Sequence, residues 1–531
     1  MAWLHGWAGL LGGWALFMMF LAGTASVFKD EITAWMMPEL PRAADPLVAL
    51  EAAAARLGDV APDAERWTIT LPSERFPGTR IAWQPRADVT DLGPRTRREV
   101  LDAESGRVVT PRETRGGDLF YRLHYRFEIS EPVRRGWWLS GAATMFMLTA
   151  LATGLVVHRR FFRDLFTFRP GMGRQRSWLD AHLLLAVSLL PFHLAIAYTG
   201  LVPIMSTVMP WAVIANYGDE RPALVQAADM DAARSAYSRD REDSTIRRHR
   251  AGRPAPLFDL RVLAERAGER LGGPIGSITI RNPNDANAVV EIVRKPGGEL
   301  SNRPRRLYYD GVSGEPLAVS ADIGPVAKVQ AAMYGMHMAR FAEPLLRWAY
   351  FLAGLASTVM IGAGLVVWTL KRRSQTERGR LSLVERLNVA TLAGLPFAMA
   401  AYFWANRLLP LDMPERAAGE VRVFFAAWGA VLLYAALRPS RRAWIETLWL
   451  AAAAFGALPV LNALTTDRHL AASIASGDWL MAGFDLTAAA TGAAFAFAGW
   501  RVARAVRGAP GPAAVHAAPS RERVEWPTPP S

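Results

Sequence analysis

The sequence contains no cysteine among its 531 residues. Without a thiol, the protein cannot form disulfides, thiolate zinc sites, iron–sulfur clusters held by thiolates, or covalently attached c-type heme. Any redox centre that this chain binds must therefore be held by His or Met side chains. Histidine is itself scarce, with 9 residues in the whole chain.

Three motifs of well-known enzyme classes are also missing. The sequence has no Walker motif, no G-x-G-x-x-G before a helix, and no H-E-x-x-H. These motifs would indicate nucleotide hydrolysis, a Rossmann flavin or nicotinamide domain, and a zincin protease, respectively. Because no flavin or nicotinamide site is visible, reducing equivalents are expected to come from a separate, unidentified electron donor.

The sequence does contain several apolar runs of about 20 residues, the length that crosses a bilayer. Together with a hydrophobic content of 51%, they indicate a polytopic α-helical membrane protein. The first run begins at Trp3 and leads into Lys29 without a convincing cleavage site, which predicts a retained helix. The net charge of +13 does not indicate a nucleic-acid partner, because Arg and Lys cluster in short loops between the runs. That placement is the positive-inside pattern of a protein surrounded by membrane lipid.

The loop HRRFFRDLFTFRPGMGRQR, which begins at His158, sets the orientation. It carries six Arg against one Asp, so the positive-inside rule places it in the cytoplasm. Alternation of the other basic loops then gives about eight transmembrane helices with both termini inside. The expected segments are a first helix (1–28), an outer region (29–135), a second helix (136–158), the Arg-rich loop (159–176), a third helix (177–203), a second outer region (204–343), a fourth helix (344–370), a cytoplasmic loop (371–386), four further helices (387–502) and a disordered tail (503–531).

The two outer regions are predicted to be small α+β domains. The first contains a predicted helix at Pro46–Leu57 and strand-like segments after it. Near its end, Leu101–Val108 resembles Tyr309–Pro316 of the second region, and both segments indicate a strand, a polar turn and another strand.

The first four helices and the two outer regions form an internal repeat of helix, outer domain and helix. Placing His5 on His182 also places Gly23 on Gly200. Tyr121-Arg-Leu-His corresponds to Tyr334-Gly-Met-His, which aligns His124 with His337. Both copies end in Gly-Leu-Val-Val, at Gly154 and Gly364, followed by basic residues.

Six histidines fall into layers of the predicted four-helix bundle, and a His within a membrane indicates a functional site. His5, His158 and His182 lie near the cytoplasmic surface, His124 and His337 near the outer surface, and His193 in the outer half of the membrane. On one helix, the eleven residues between His182 and His193 correspond to about three turns and roughly 16 Å, with both rings on nearly the same face. Because His is a standard axial ligand, two layers of His favour two stacked hemes. The alternative is that interfacial His and Trp simply anchor helix ends.

The remaining candidates are weaker. Arg174, Arg176 and Asp180 bracket the start of the third helix and suit either heme propionates or anionic lipid, of which lipid is the more frequent ligand. His249, His469 and His516 lie in polar segments and are expected to be surface residues. The last four predicted helices contain no His, and lipid-facing support is their expected role.

Several segments resemble the PepSY-associated transmembrane family, the iron-regulated inner-membrane proteins that include FoxB-type ferri-siderophore reductases. The similar segments are LHGWAGL, HRRFFRDLFTFRP, LDAH with LLPFH and YTGL, and GMHMARF. The segments LDAESGRV and YYDGVSGE resemble PepSY domains, small modules with a helix on a short antiparallel sheet. The resemblance covers about residues 1 to 373, and the last four helices extend beyond the usual core.

This resemblance implies b-type heme in the bundle, for which the two layers of His favour two copies, and reduction of a ferric siderophore or other ferric chelate in the periplasm. It also implies location in a bacterial inner membrane and a heme-dependent reductase activity, without identifying a catalytic residue. For the inner heme we predict His182 with His158, with His5 as the competing ligand. For the outer heme we predict His193 with His337, with His124 as the competitor that the repeat's symmetry favours.

Two other functions remain open. A non-enzymatic protein could use its PepSY domains to bind and inhibit a protease or to sense a periplasmic ligand, and it would need no cofactor. A transporter would be expected to carry charged residues in mid-helix, and these apolar runs show almost none.

Overall fold

The computed structural model describes residues 1–41, 45–86, 96–102, 104–129, 132–157, 173–209, 211, 246, 248–320, 325–373 and 381–507. Most of these residues belong to long apolar helices or to one antiparallel sheet. Seven helices in the described part are long and apolar enough to cross a membrane, and a bent pair brings the number to eight. The protein is therefore a multi-pass membrane protein, as the sequence predicts.

Within its described residues, the first half of the chain contributes five helices and four strands. The helices are α1 (Ala2–Ser26), α2 (Lys29–Trp35), α3 (Pro46–Val60), α4 (Asp118–Arg126) and α5 (Val133–Val157). The strands are β1 (Arg66–Thr70), β2 (Thr79–Gln84), β3 (Arg97–Leu101) and β4 (Val108–Val109). Asp45 is the N-cap of α3, and its side chain accepts a hydrogen bond from the backbone amide of Leu47.

The next part repeats this order of elements. Its helices are α6 (Arg174–Ser188), α7 (Leu190–Leu201), α8 (Leu260–Leu271), α9 (Pro325–Met338) and α10 (Pro344–Arg372), with a short turn of helix at Met205–Val208. Its strands are β5 (Ile275–Arg281), β6 (Val289–Arg294), β7 (Arg306–Asp310) and β8 (Pro316–Val319). In the bundle, α1 packs against α5 and α10, α6 packs against α10, and α7 packs against α5 and α9.

The third predicted helix, residues 177–203, is not straight. It breaks at Leu189 into α6 and α7, whose axes differ in direction by 69°. Pro191 explains the break, because it has no N–H for the carbonyl four residues earlier and its ring clashes with that carbonyl. The prediction that His182 and His193 share one face of a straight helix is therefore wrong.

The strands of both halves form a single eight-stranded antiparallel sheet in the order β4-β3-β2-β1-β5-β6-β7-β8. The halves join through β1 and β5, with Arg66 opposite Arg281 and Thr70 opposite Ser277. The helices α3 and α8 cover one face and share a buried core with the strands, including Trp67, Leu263 and Ile278. Pairing β1 with β5 removes two exposed sheet edges, so the two predicted α+β domains are halves of one sheet.

The remaining helices form a second bundle beside the first. They are α11 (Leu381–Val389), a π-helical segment (Ala390–Gly394), α12 (Leu395–Leu408), α13 (Arg416–Leu437), α14 (Ser440–Gly456), α15 (Leu458–Thr465), α16 (Leu470–Ala475) and α17 (Trp479–Arg507). We call α11 to α17 the accessory bundle. Its contacts with the rest of the protein include α11 against α10, α17 against α2 and the π-helical segment against α1.

Candidate functional site

Two pairs of histidines face each other across the repeat. His5 of α1 and His182 of α6 have ring centres 6.3 Å apart, with their planes at 68°. His124 of α4 and His337 of α9 have ring centres 5.8 Å apart, with their planes at 25°. Each pair joins equivalent residues of the two halves. We call His5 with His182 the inner pair and His124 with His337 the outer pair.

All four rings are fixed by the same kind of hydrogen bond. Each Nδ1 atom donates to a backbone carbonyl of a neighbouring helix. The acceptors are Ala150 for His5 at 2.9 Å, Met360 for His182 at 2.8 Å, Met19 for His124 at 2.8 Å and Ile196 for His337 at 3.0 Å. A carbonyl can only accept, so Nδ1 carries the hydrogen in every ring and Nε2 carries the lone pair. This arrangement is the usual one for a His that binds a metal through Nε2.

Each acceptor carbonyl lies four residues before a glycine in the same helix, and the ring lies over that glycine. A Cβ at Gly23 would stand 2.6 Å from His124, and one at Gly200 would stand 2.8 Å from His337. The corresponding distances are 3.2 Å for Gly154 to His5 and 3.1 Å for Gly364 to His182. These are the four glycines that the internal repeat aligns, so the repeat preserves both the ring and the surface it lies on.

The two pairs lie at different depths of the bundle. Met19, which holds His124, follows His5 by 14 residues within the continuous helix α1. At 1.5 Å per residue, this separation is about 21 Å along the helix axis. The histidines therefore form two layers, as the sequence predicts from the repeat.

The outer pair lies on α4 and α9, outside the membrane-spanning helices, and both rings are held neutral. Burial lowers the pKa of His124, and the hydrogen bond to Met19 only partly opposes it. Burial and the neighbouring His124 lower the pKa of His337 to about 3. Neutral imidazole is the form that binds a metal, so the outer pair is ready to act as a ligand without losing a proton.

The spacing and chemistry of both pairs fit a bis-imidazole heme. Two metal–nitrogen bonds of about 2 Å each, together with the two ring radii, give roughly 6 Å between ring centres. Within the described residues, no group of three or more His, Cys, Asp and Glu could hold a metal ion. A pair of imidazoles needs no third protein ligand when a porphyrin supplies the equatorial nitrogens.

The structure distributes the other predicted ligands differently. His158 lies outside the described residues, so its pairing with His182 stays a prediction, and the ring found beside His182 is that of His5. His193 is fully buried, and its Nε2 atom lies 2.9 Å from Ser357 Oγ in α10. The ring beside His337 is that of His124.

The predicted anion-binding arginines lie at the start of α6. Arg174 is its first described residue, and Arg176 forms an ion pair with Asp180, with Nε and Oδ1 2.9 Å apart. Because Asp180 is buried and already offsets the charge of Arg176, this arginine is less suited to a propionate than the sequence suggests.

Sequence reasoning identified the glycines but not their role. The repeat aligns Gly23 with Gly200 and Gly154 with Gly364, and this alignment is the sequence signal that marks these glycines as part of the site. What it could not show is that each glycine lies under a histidine from another helix.

Comparison with known proteins places the chain in a family. A family model described as the PepSY-associated TM region matches residues 2–371. One relative, the uncharacterized protein PA4219 of Pseudomonas aeruginosa, is 26% identical over 412 residues, which is 73% of this chain and 95% of that protein. The matched region contains both histidine pairs and their four glycines, and the chain belongs to the PepSY-associated transmembrane family.

Proposed function

We propose that this protein binds two b-type hemes and transfers electrons across a bacterial inner membrane to a ferric chelate in the periplasm. The observation that supports the proposal is the fourfold arrangement of the histidines. Each ring lies on a glycine, donates from Nδ1 to a carbonyl and faces a partner ring at about 6 Å. In this proposal His5 and His182 hold the inner heme, and His124 and His337 hold the outer one.

The chain contributes ligands, orientation and exclusion of water. A heme held by the two imidazoles of each pair would supply reversible one-electron chemistry. The Nδ1 hydrogen bonds keep each Nε2 lone pair available in a fixed direction, which limits rearrangement when the charge of the site changes. Buried apolar side chains of the bundle core, including Leu16, Phe17 and Met147, would keep water out of the region between the two layers.

The proposed substrate is a ferric siderophore or a similar chelate with hard oxygen donors. Adding one electron converts Fe(III) to the softer Fe(II), for which such donors have lower affinity, so the iron is released. The Arg-rich loop at 159–176 favours the cytoplasmic side for the inner pair, which would place the sheet in the periplasm. The electron donor would be a separate partner on the cytoplasmic side or in the membrane.

The test is the heme content of the full-length protein, purified in detergent after expression with sufficient iron and heme precursor. We expect a reduced-minus-oxidised spectrum of b-type heme and a pyridine hemochrome value close to two hemes per chain. A protein that stays colourless even when hemin is added would overturn the proposal. Reoxidation of the reduced protein by a ferric hydroxamate, followed at the heme bands, then tests the acceptor.

The alternative is a membrane-anchored sheet that binds a protease or a periplasmic ligand without a cofactor. Its supporting feature is a shallow groove between α3 and α8, lined by Leu50, Trp67 and Phe258. This function gives no reason for four half-buried imidazoles with the same tautomer, each on a glycine. The heme proposal accounts for both features.

A further inference from the structure

The outer pair is carried by two short helices that are equivalent in the repeat but supported by different parts of the protein. The helix α9, which carries His337, is held by the loop between β6 and β7. There the backbone N–H of Asn302 donates to the Ala331 carbonyl at 3.0 Å, and Gly335 packs directly on the backbone of Leu300. The sheet of the second half therefore supports its own ligand helix.

The helix α4, which carries His124, is supported by the accessory bundle through the segment Arg112–Gly117 that leads into it. The Thr114 hydroxyl donates to Glu420 of α13 at 2.5 Å, and the Tyr402 hydroxyl of α12 donates to the Gly116 carbonyl at 2.9 Å. Arg416 donates to the Glu113 carbonyl at 2.9 Å. These bonds fix the backbone just before the first residue of α4.

An aromatic contact continues this support into α4 itself. Phe120 is fully buried, and its ring centre lies 5.7 Å from those of both Tyr402 and Phe403. Edge-to-face pairs of this kind stabilise a contact beyond the burial of area alone. Phe120 and His124 are four residues apart and lie on neighbouring turns of the same helix, so the contact is transmitted over a single turn.

The accessory side of this contact is itself rigid. Glu420 and Arg416 form a fully buried ion pair at 2.6 Å, and the Asn406 amide donates to Glu420 at 2.8 Å. Because burying two charges carries a desolvation penalty, this ion pair adds little to the free energy of unfolding and mainly fixes the positions of its side chains. It holds the carboxylate that receives the Thr114 hydroxyl in one position.

We propose that the accessory bundle positions the outer heme ligand His124, and that Tyr402, Thr114 and Glu420 are positioning residues for that site. The consequence for heme rests on the proposed function, whereas the support of α4 does not. The helix α4 has nine residues, and a helix this short does not hold its conformation alone. Its order comes from α1, α5 and α2, which pack against it, and from the accessory bundle, which holds the segment before it and the ring of Phe120. The last four spans therefore have a role beyond support in the lipid.

The experiment uses the full chain with Thr114→Val, Tyr402→Phe and the double variant. Tyr434→Phe is the matched control, because Tyr434 lies in the same bundle but bonds to Glu446 at an exposed site. Hydrogen–deuterium exchange is followed in peptides from Asp118–Arg126 and Pro325–Met338. Loss of one hydrogen bond is expected to speed exchange in α4 by roughly two- to tenfold in each single variant. Exchange in α9 and in the control should not change.

The heme-loaded variants supply a second measurement, the low-spin EPR signals and midpoint potentials of the two sites. We expect one site to shift and the other to keep its signal. Unchanged exchange in α4 of the double variant, equal acceleration in α4 and α9, or faster exchange without a shift at either heme would overturn the inference. If α4 exchange accelerates but no variant or parent protein binds heme, the support of α4 stands and the proposed function fails.

Discussion

The ring of His337 lies on Gly200, so closely that a Cβ at residue 200 would stand 2.8 Å from its Cε1 atom. Real side chains essentially never approach at this distance, so the ring could keep its position only if a backbone moved. The same ring donates from Nδ1 to Ile196, one turn earlier in α7. Glycine and carbonyl together therefore define where the imidazole lies.

Adding a methyl group at these glycines should displace the outer ligands first. We expect Gly200→Ala and Gly23→Ala to lose about half of the bound heme, because their Cβ atoms would meet the rings at 2.8 and 2.6 Å. Gly154→Ala and Gly364→Ala, at 3.2 and 3.1 Å, should keep both hemes with a shifted spectrum. Gly9→Ala is the control, because a Cβ there meets nothing within 4 Å. Full heme content in Gly200→Ala would contradict the arrangement.

Removing single imidazoles should test the four proposed heme ligands. Under the proposed function, alanine at His5, His124, His182 or His337 is expected to halve the heme content, since each proposed site would lose one of its two imidazoles. His193→Gln should keep both hemes, because that ring bonds to Ser357. Pyridine hemochrome assays of each variant make the comparison. If His193→Gln halves the content while His124→Ala does not, the outer pairing is wrong.

The sequence predicts more of this site than of the helix packing around it. The repeat aligned the histidines and the glycines because both copies keep the same residues at the same spacing. It left the pairing open between His5 and His158, and between His124 and His193, because spacing along one chain does not say which helices touch. Contacts to carbonyls such as Met19 depend on the packing of helices far apart in sequence.

Three features of the structure escaped prediction for identifiable reasons. The run around Pro191 is apolar throughout, and apolar composition predicts a span without showing that the proline bends it by 69°. The joining of the two sheet halves depends on β1 and β5, whose sequences each suit an ordinary strand. The burial of Arg416 and Glu420 was missed because charged residues at the ends of apolar runs are usually exposed.

Removing one partner of the buried ion pair in the accessory bundle should lower the free energy of unfolding more than removing both partners. In Arg416→Met, Glu420 keeps its charge without its main partner, and a loss of about 3–5 kcal/mol in the free energy of unfolding is expected for a buried pair. The double variant with Glu420→Met should recover part of this loss, because neither charge remains buried. Thermal unfolding in detergent measures the relative stabilities of the parent protein, Arg416→Met and the double variant. A double variant less stable than Arg416→Met would contradict it.

Acid should weaken the sheet through Asp285. Burial alone would raise the pKa of this carboxyl, but amide donors from Asn287, Ala251 and Gly252 together with Arg250 outweigh it, and its pKa is lowered from 3.8. The unfolded state therefore binds the proton first. The stabilisation is complete above pH 3.8 and is lost as the pH falls through the lower pKa of the folded state.

The measurement is the unfolding temperature of the heme-free protein between pH 7 and pH 3. We expect a decline below about pH 4 that is smaller in Asp285→Asn, which cannot be protonated and starts from a lower stability at pH 7. Asp63→Asn is the control, because its carboxyl is exposed and its contact with Arg250 is long at 3.4 Å. Equal acid sensitivity of the parent and Asp285→Asn would rule out this role of Asp285.

The absence of cysteine allows a direct test of topology, because a single introduced thiol is the only one in the chain. Ser105 and Ser301 lie in exposed turns of the sheet, whereas Ser440 is the first residue of α14 and lies beside Arg438 and Arg441 in the sequence. The positive-inside rule places the first two outside and the third inside. A membrane-impermeant maleimide should label Ser105→Cys and Ser301→Cys in spheroplasts, and should label Ser440→Cys only after lysis. The reverse labelling pattern would show that the protein has the opposite orientation in the membrane. The inner pair would then lie on the periplasmic side, which would exclude the proposed direction of electron transfer.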